Sequence, residues 1–224
     1  MAYRKNGELT RRRFFEGATL LVSGCGILSV APRLNAEQPF DSLPPSLWKN
    51  QRQNGLIMIR RPAPARLESK LKIVSSADPG EPLVVEGQVF AQDGVTPVEG
   101  ITVYAYNTDA QGYYGENRMA YPPRLYGWMK TDAAGKFELS TIRPGPYPNM
   151  SIPAHIHFTL WGAGYPLQWV EEVRFKGDPY LTSSMIDEDS GLGEFRTIRE
   201  LTRSGNGTLR CDISVRLQRE TNFR

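Results

Sequence analysis

Between residues 83 and 217 the chain repeats one pattern: a short run of strand-forming residues, often alternating apolar and polar, followed by a cluster of glycine, proline, aspartate or asparagine. The runs are "LVVEGQVFA" (83–91), "ITVYAYN" (101–107), "KFELSTI" (136–142), "AHIHFTL" (154–160), "WVEEVRF" (169–175) and "TLRCDISVRL" (208–217). The links between them include "QDGVTPVEG", "TDAAGK" and "RPGPYP". A period of two sends alternate side chains to opposite faces of a strand, and frequent turn residues leave no room for long helices. The pattern predicts an all-β fold, an antiparallel β-sandwich with long loops and few short helices. Two links exceed simple turns: 108–130, and 176–207, which has room for a short helix. Long loops on a rigid sandwich are where binding and catalytic groups collect. The first holds Tyr113, Tyr114, Tyr121 and Tyr126, four of the chain's ten tyrosines.

A chain of 224 residues suffices for one sizeable core, but its start reads differently from the rest. "TRRRFFE" (10–16) has a threonine, paired arginines, one further residue and a phenylalanine, the pattern of a twin-arginine export signal, and "GATLLVSGCGILSVA" (17–31) supplies the apolar region behind it. That region falls short of the roughly 20 apolar residues needed to span a bilayer. The expected organisation is a signal segment over 1–36, an extended, proline-punctuated lead-in over 37–79 with one short helix around residues 47–53, and a β-sandwich domain over 80–224. Export places the protein in the periplasm or at the cell surface. Cys25 in "VSGC" fits a lipobox as well as it fits a cysteine discarded with the signal, so a lipid anchor is one of two expectations for it.

Removing the signal changes the charge. The chain has 27 basic and 24 acidic residues; residues 37–224 keep 21 and 22 of them, so the basic character belongs to the signal. No nucleic-acid partner is implied. The other cysteine, Cys211, alternates with Leu209, Ile213, Val215 and Leu217 in the last run and reads as a small core residue without a disulfide partner.

The chain's two histidines, His155 and His157, stand one residue apart in "IPAHIHF". On a strand, i and i+2 share a face, so the two imidazoles project together, either to hold one metal ion or as a buried hydrogen-bonded pair. A three-histidine or two-cysteine zinc site is excluded for lack of ligands. Carboxylate or phenolate remains to complete a metal site, and two imidazoles with tyrosinate favour a hard trivalent ion such as Fe(III).

"RPGPYP" (143–148) followed by "PAHIHF" (153–158), with "TDAAGKFELSTI" (131–142) and "VEGQVFAQDGVTPVEGITVYAYNTDAQGYY" (85–114) upstream, resembles the core of the intradiol ring-cleaving dioxygenases, particularly the protocatechuate 3,4-dioxygenase branch. The resemblance spans roughly residues 80–180. It implies a non-haem Fe(III) enzyme that opens a catechol-type ring between its two hydroxylated carbons with O₂, giving a muconate-type diacid. It implies Tyr147, His155 and His157 as iron ligands. The first tyrosine ligand, counted seven residues beyond Tyr114, is Tyr121, with Tyr126 as the fallback; Tyr113 and Tyr114 read as loop packing or pocket lining. Tyr121 would then act both as ligand and as the internal base that takes a substrate proton. Self-association, or a related partner subunit, is expected on the same resemblance.

Two positions depart from the family pattern. Ile152 stands where an arginine is usual, and Glu172 aligns with a usual glutamine. Arg118, Arg124, Arg143 and Arg174 are the candidates to restore the missing charge. The departures keep two other readings open: a catalytically weak or silent ligand-binding sandwich of the same fold, and an H-x-H protein using another metal.

Overall fold

The structure, a computed structural model, describes residues 63–118 and 123–220, all within one compact unit, Arg33–Arg224. The signal segment, Cys25 and the helix expected around residues 47–53 lie outside the described residues, as does Tyr121.

The described residues form two five-stranded sheets. The first runs in the order β1 (Lys70–Lys72), β5 (Lys136–Ile142), β2 (Pro82–Phe90), β10 (Leu209–Arg216), β9 (Thr202–Arg203). The second runs β4 (Leu125–Lys130), β3 (Thr102–Asn107), β6 (His155–Gly162), β7 (Tyr165–Phe175), β8 (Ile198–Arg199). This is the predicted β-sandwich. Pairing is antiparallel through the centre of the second sheet, while β1 with β5, β2 with β10 and β7 with β8 are parallel. The excursion after β7 carries the short helix α1, Ser183–Ser190, started by Thr182, whose side chain accepts from the Met185 N–H.

Alternation along each strand decides which residues meet between the sheets. Leu83, Val85 and Val89 of β2, Phe137 and Leu139 of β5, and Leu209, Cys211, Ile213 and Val215 of β10 point inward from the first sheet. Val103, Ala105, Met129, Ile156, Phe158, Leu160, Val173 and Phe175 meet them from the second. Gly87 is required on this inner face: a Cβ there would stand 2.0 Å from the Phe137 ring. Cys211 is buried as expected, and desolvation pushes its thiol up to about 12, so it stays protonated and inert at neutral pH.

The same alternation sends the other half of the second sheet's side chains to its outer face. There Tyr104, Tyr106 and Trp128 form a second apolar cluster with Tyr114 and Leu167, against which Tyr126, Tyr147, Trp161 and Trp169 pack. Both faces of β3 and most of β6 are therefore buried. His155 and His157 emerge into this aromatic layer, away from the main core.

Candidate metal centre

His155 and His157 sit on β6, 7% and 6% exposed, with their Nε2 atoms 3.0 Å apart. The His155 Nδ1–H donates to the Pro153 carbonyl at 2.6 Å, which leaves the lone pair of its Nε2 facing the partner imidazole. The strand's entry is fixed by Asp178, whose Oδ2 accepts from the Ala154 N–H at 3.0 Å while its Oδ1 accepts from the Tyr180 N–H at 2.9 Å. Tyr106 stacks on the His157 ring at 4.4 Å, and the Trp169 ring lies 5.1 Å away. Burial holds both imidazoles below the usual histidine range. The neighbouring His155 and then Arg174 lower His157 further, and Arg174 also opposes protonation of His155. Both rings are thus neutral at pH 7, the state that ligates a metal.

Two tyrosines complete the group. The Tyr147 hydroxyl lies 2.9 Å from His155 Nε2 and 3.4 Å from His157 Nε2. The Tyr114 hydroxyl is 2.8 Å from His157 Nε2 and hydrogen-bonded to the Tyr147 hydroxyl. Two nitrogens and two phenol oxygens therefore converge on one point from three chain segments.

The local sequence explains how. In "DAQGYY" the Asp109 carboxylate accepts from the N–H groups of Gln111 and Tyr113, both at 2.9 Å, closing an Asx turn that Gly112 completes at φ +89°. This turn is zipped to "RPGPYP": the Gly145 N–H donates to the Asp109 carbonyl at 2.8 Å, and Thr108 Oγ1 donates to the Gly145 carbonyl at 2.8 Å. The approach is so close that a Cβ on Gly112 would stand 1.9 Å from the Pro146 oxygen. Backbone contact between the two turns is what brings Tyr114 to Tyr147.

Of the residues the sequence singled out, Tyr147, His155 and His157 come together. Tyr126 does not join them; it lies on β4, its ring 6.1 Å from that of Tyr104. Tyr121 lies outside the described residues. Tyr114, read from sequence as pocket lining, is the tyrosine found at the histidines. What brings it there is the contact between its turn and the "GPYP" turn, which spacing along the chain does not show.

The donor set fits a ferric ion. Among the described residues no three or more His, Cys, Asp or Glu side chains are grouped to hold a metal, so phenol oxygens are what the two imidazoles have beside them. The buried His157 Nδ1 has no hydrogen-bond partner among the described residues. A cation at the convergence point would draw both Nε2 lone pairs and both phenolates toward one charge, relieving the mutual repulsion of the crowded lone pairs.

The departures from the family pattern also find places. Ile152 is partly buried just before β6. Glu172 is paired with Arg174, whose guanidinium donates to its Oε2 at 2.6 Å. Arg174 lies opposite His155 in the β6–β7 register. Arg124 pairs with Asp78, Arg143 with Glu81, and Arg118 lies over the Tyr113 ring at 5.7 Å.

Comparison with known proteins gives the family and the fold. Residues 60–211, well over half of the chain, match the family model described as "Dioxygenase". The chain belongs to this dioxygenase family. The protocatechuate 3,4-dioxygenase beta chain of Burkholderia cepacia is 34% identical over 125 residues, covering 50% of this chain and 53% of that protein. Catechol 1,2-dioxygenase 2 of Acinetobacter lwoffii is 28% identical over 127 residues, covering 49% and 46%. The chain thus spans about half the length of these curated relatives. Among solved structures, 3-chlorocatechol 1,2-dioxygenase from Rhodococcus opacus 1CP superposes with a TM-score of 0.54 at 18% identity, over 70% of this chain and 68% of that one. The dioxygenase domain of a dioxygenase carbohydrate-binding protein fusion from Streptomyces sp. SirexAA-E gives 0.51 at 23% identity, over 70% and 92%. These structural likenesses carry the fold.

Proposed function

We propose that the protein is a non-haem Fe(III) intradiol dioxygenase that opens a catechol-type ring between its hydroxylated carbons, consuming O₂ and giving a muconate-type diacid. The observation that carries this reading is the convergence of Tyr114, Tyr147, His155 and His157, two phenols and two neutral imidazoles, in a family whose named relatives act on catechols and protocatechuate. A ferric ion held by these four side chains would supply Lewis acidity toward the two catechol oxygens and a centre able to draw electron density from the ring.

The rest follows from the chain's own groups. His155 presents a bare Nε2 because Pro153 holds its Nδ1–H. Tyr106 and Trp169 flank the His157 ring with aromatic surface and hold it in place. Tyr114 takes, on this reading, the role the sequence gave to Tyr121: its hydroxyl, between Tyr147 and His157, is placed to receive a proton from the substrate. Purified from iron-replete cells, the protein is expected to be wine-red from tyrosinate-to-iron charge transfer and to carry about one iron per chain. A colourless, iron-free preparation contradicts the reading, and a coloured one inert toward every catechol makes the protein a ligand-binding sandwich.

We also propose twin-arginine export to the periplasm or cell surface on the strength of "TRRRFFE" alone. Arg11→Lys with Arg12→Lys should keep the protein in the cytoplasm on cell fractionation; unaltered export would remove the assignment. The possible partner, a second copy or a related subunit, follows only from the kinship with a protein named as a beta chain.

A further inference from the structure

A doubly ionised catechol and two ionised phenols would set four negative charges against the three positive charges of a ferric ion, and a buried anion that is not fully countered is costly. The two phenols of the site add negative charge once ionised, and Ile152 offers none of the opposite sign. The arginines named above divide sharply. Arg124 and Arg143 are committed to Asp78 and Glu81. Arg118 lies against Tyr113.

Arg174 is paired as well, with Glu172, and what sets it apart is its place beside the histidines. It stands directly opposite His155 on the neighbouring antiparallel strand, and such partners share a face with their Cβ atoms about 4.5–5.5 Å apart. Its inward neighbours Val173 and Phe175 are in the core, so the arginine points with the histidines into the outer layer. Its backbone is held on both sides, by β6 and by β8, where its N–H donates to the Thr197 carbonyl at 3.0 Å. A bulge sets one residue of β6, His157, against two of β7 at this point, and bulges re-aim side chains beside active sites. Glu172, two residues back on the same face, takes one guanidinium N–H. The fork keeps further donors for a ligand. The side chains of the pair are 20% and 26% exposed, more open to solvent than the buried imidazoles. The charge of Arg174 is felt at both imidazoles, although at His155 the Glu172 carboxylate opposes it and acts more strongly.

We propose that Arg174 is the protein's own cation for the bound catechol, countering the charge on its ionised ring oxygens that a ferric ion leaves uncompensated, and that Glu172 holds the guanidinium in place. The inference rests on the proposed function, which supplies the catechol; it identifies the residue that restores the charge position 152 lacks. Glu172, which alone would repel the ligand, becomes the positioning residue for the charge that attracts it.

The test uses 4-nitrocatechol, whose absorption moves to longer wavelength with each proton lost, titrated anaerobically into the purified protein at one neutral pH. The wild type should bind it doubly ionised. Arg174→Gln should bind it at least tenfold more weakly and less ionised, Arg174→Lys should retain most of the effect, and the double variant Glu172→Gln with Arg174→Gln should behave like Arg174→Gln. The inference is overturned if Arg174→Gln holds the doubly ionised ligand with wild-type affinity. It also fails if lysine and glutamine are equally damaging, or if the double variant recovers wild-type binding and so lays the loss on an unpaired Glu172. Wild-type protein that leaves the nitrocatechol spectrum untouched overturns the proposed function itself, and this inference with it.

Discussion

Tyr114→Phe is expected to lose or strongly shift the charge-transfer colour and to lower catechol-dependent O₂ uptake by roughly 100- to 10,000-fold, the range for removal of a positioned proton acceptor. Tyr121→Phe is expected to retain both. The fold has little stake in the first change, because the phenylalanine keeps the ring that packs against Tyr106 and Tyr147 at 5.6 Å and removes only the oxygen. A melting temperature near wild type, with the colour gone, would separate ligand loss from unfolding. The reverse pattern, Tyr121→Phe colourless and Tyr114→Phe red, would move the first tyrosine position back to where counting along the chain put it.

Gly112→Ala should be nearly as damaging to the site without touching any of its donor atoms. Gly112 has φ +89°, and an alanine there meets the Pro146 oxygen at 1.9 Å, a distance no side-chain adjustment relieves because the obstacle is backbone. The positive φ alone costs about 1–2 kcal/mol in a residue with a Cβ. The two turns must therefore separate, taking Tyr114 from Tyr147. Iron content and colour are expected to fall severely, while far-UV circular dichroism stays that of the sandwich, because the turns lie outside the inter-sheet core. Wild-type iron content in Gly112→Ala would show that the zipped turns are not what assembles the donors.

The fold was legible in the chain because strand alternation and turn residues act locally. All six runs named from the sequence are strands, with ends that match or differ by at most four residues. What escaped notice was set by partners distant in sequence. The strand Leu125–Lys130 hid in a tyrosine- and proline-rich link, and the Leu71 side chain packs into the space that the missing Cβ of its Gly127 leaves, 2.4 Å from where that atom would be. The strand Lys70–Lys72 inside the supposed lead-in exists through its parallel pairing with β5. At the site, His155 and His157 declared themselves by spacing, and Tyr147 by the family turn. Tyr114 did not, since nothing along the chain announces that two glycine turns touch. Glu172 looked anomalous as an isolated carboxylate; Arg174, two residues on, accounts for it.

The most direct test of the central claim is to incubate the purified, iron-containing protein with ¹⁸O₂ and a panel of catechols: catechol itself, protocatechuate, hydroxyquinol and larger ring systems. O₂ uptake is followed and the product weighed by mass spectrometry. At least one catechol is expected to be consumed in equal amount with O₂, and its product to be a ring-opened diacid carrying two labelled oxygen atoms. Iron-loaded protein that consumes no O₂ with any of them, or a product cleaved outside the two hydroxylated carbons, would contradict the claim.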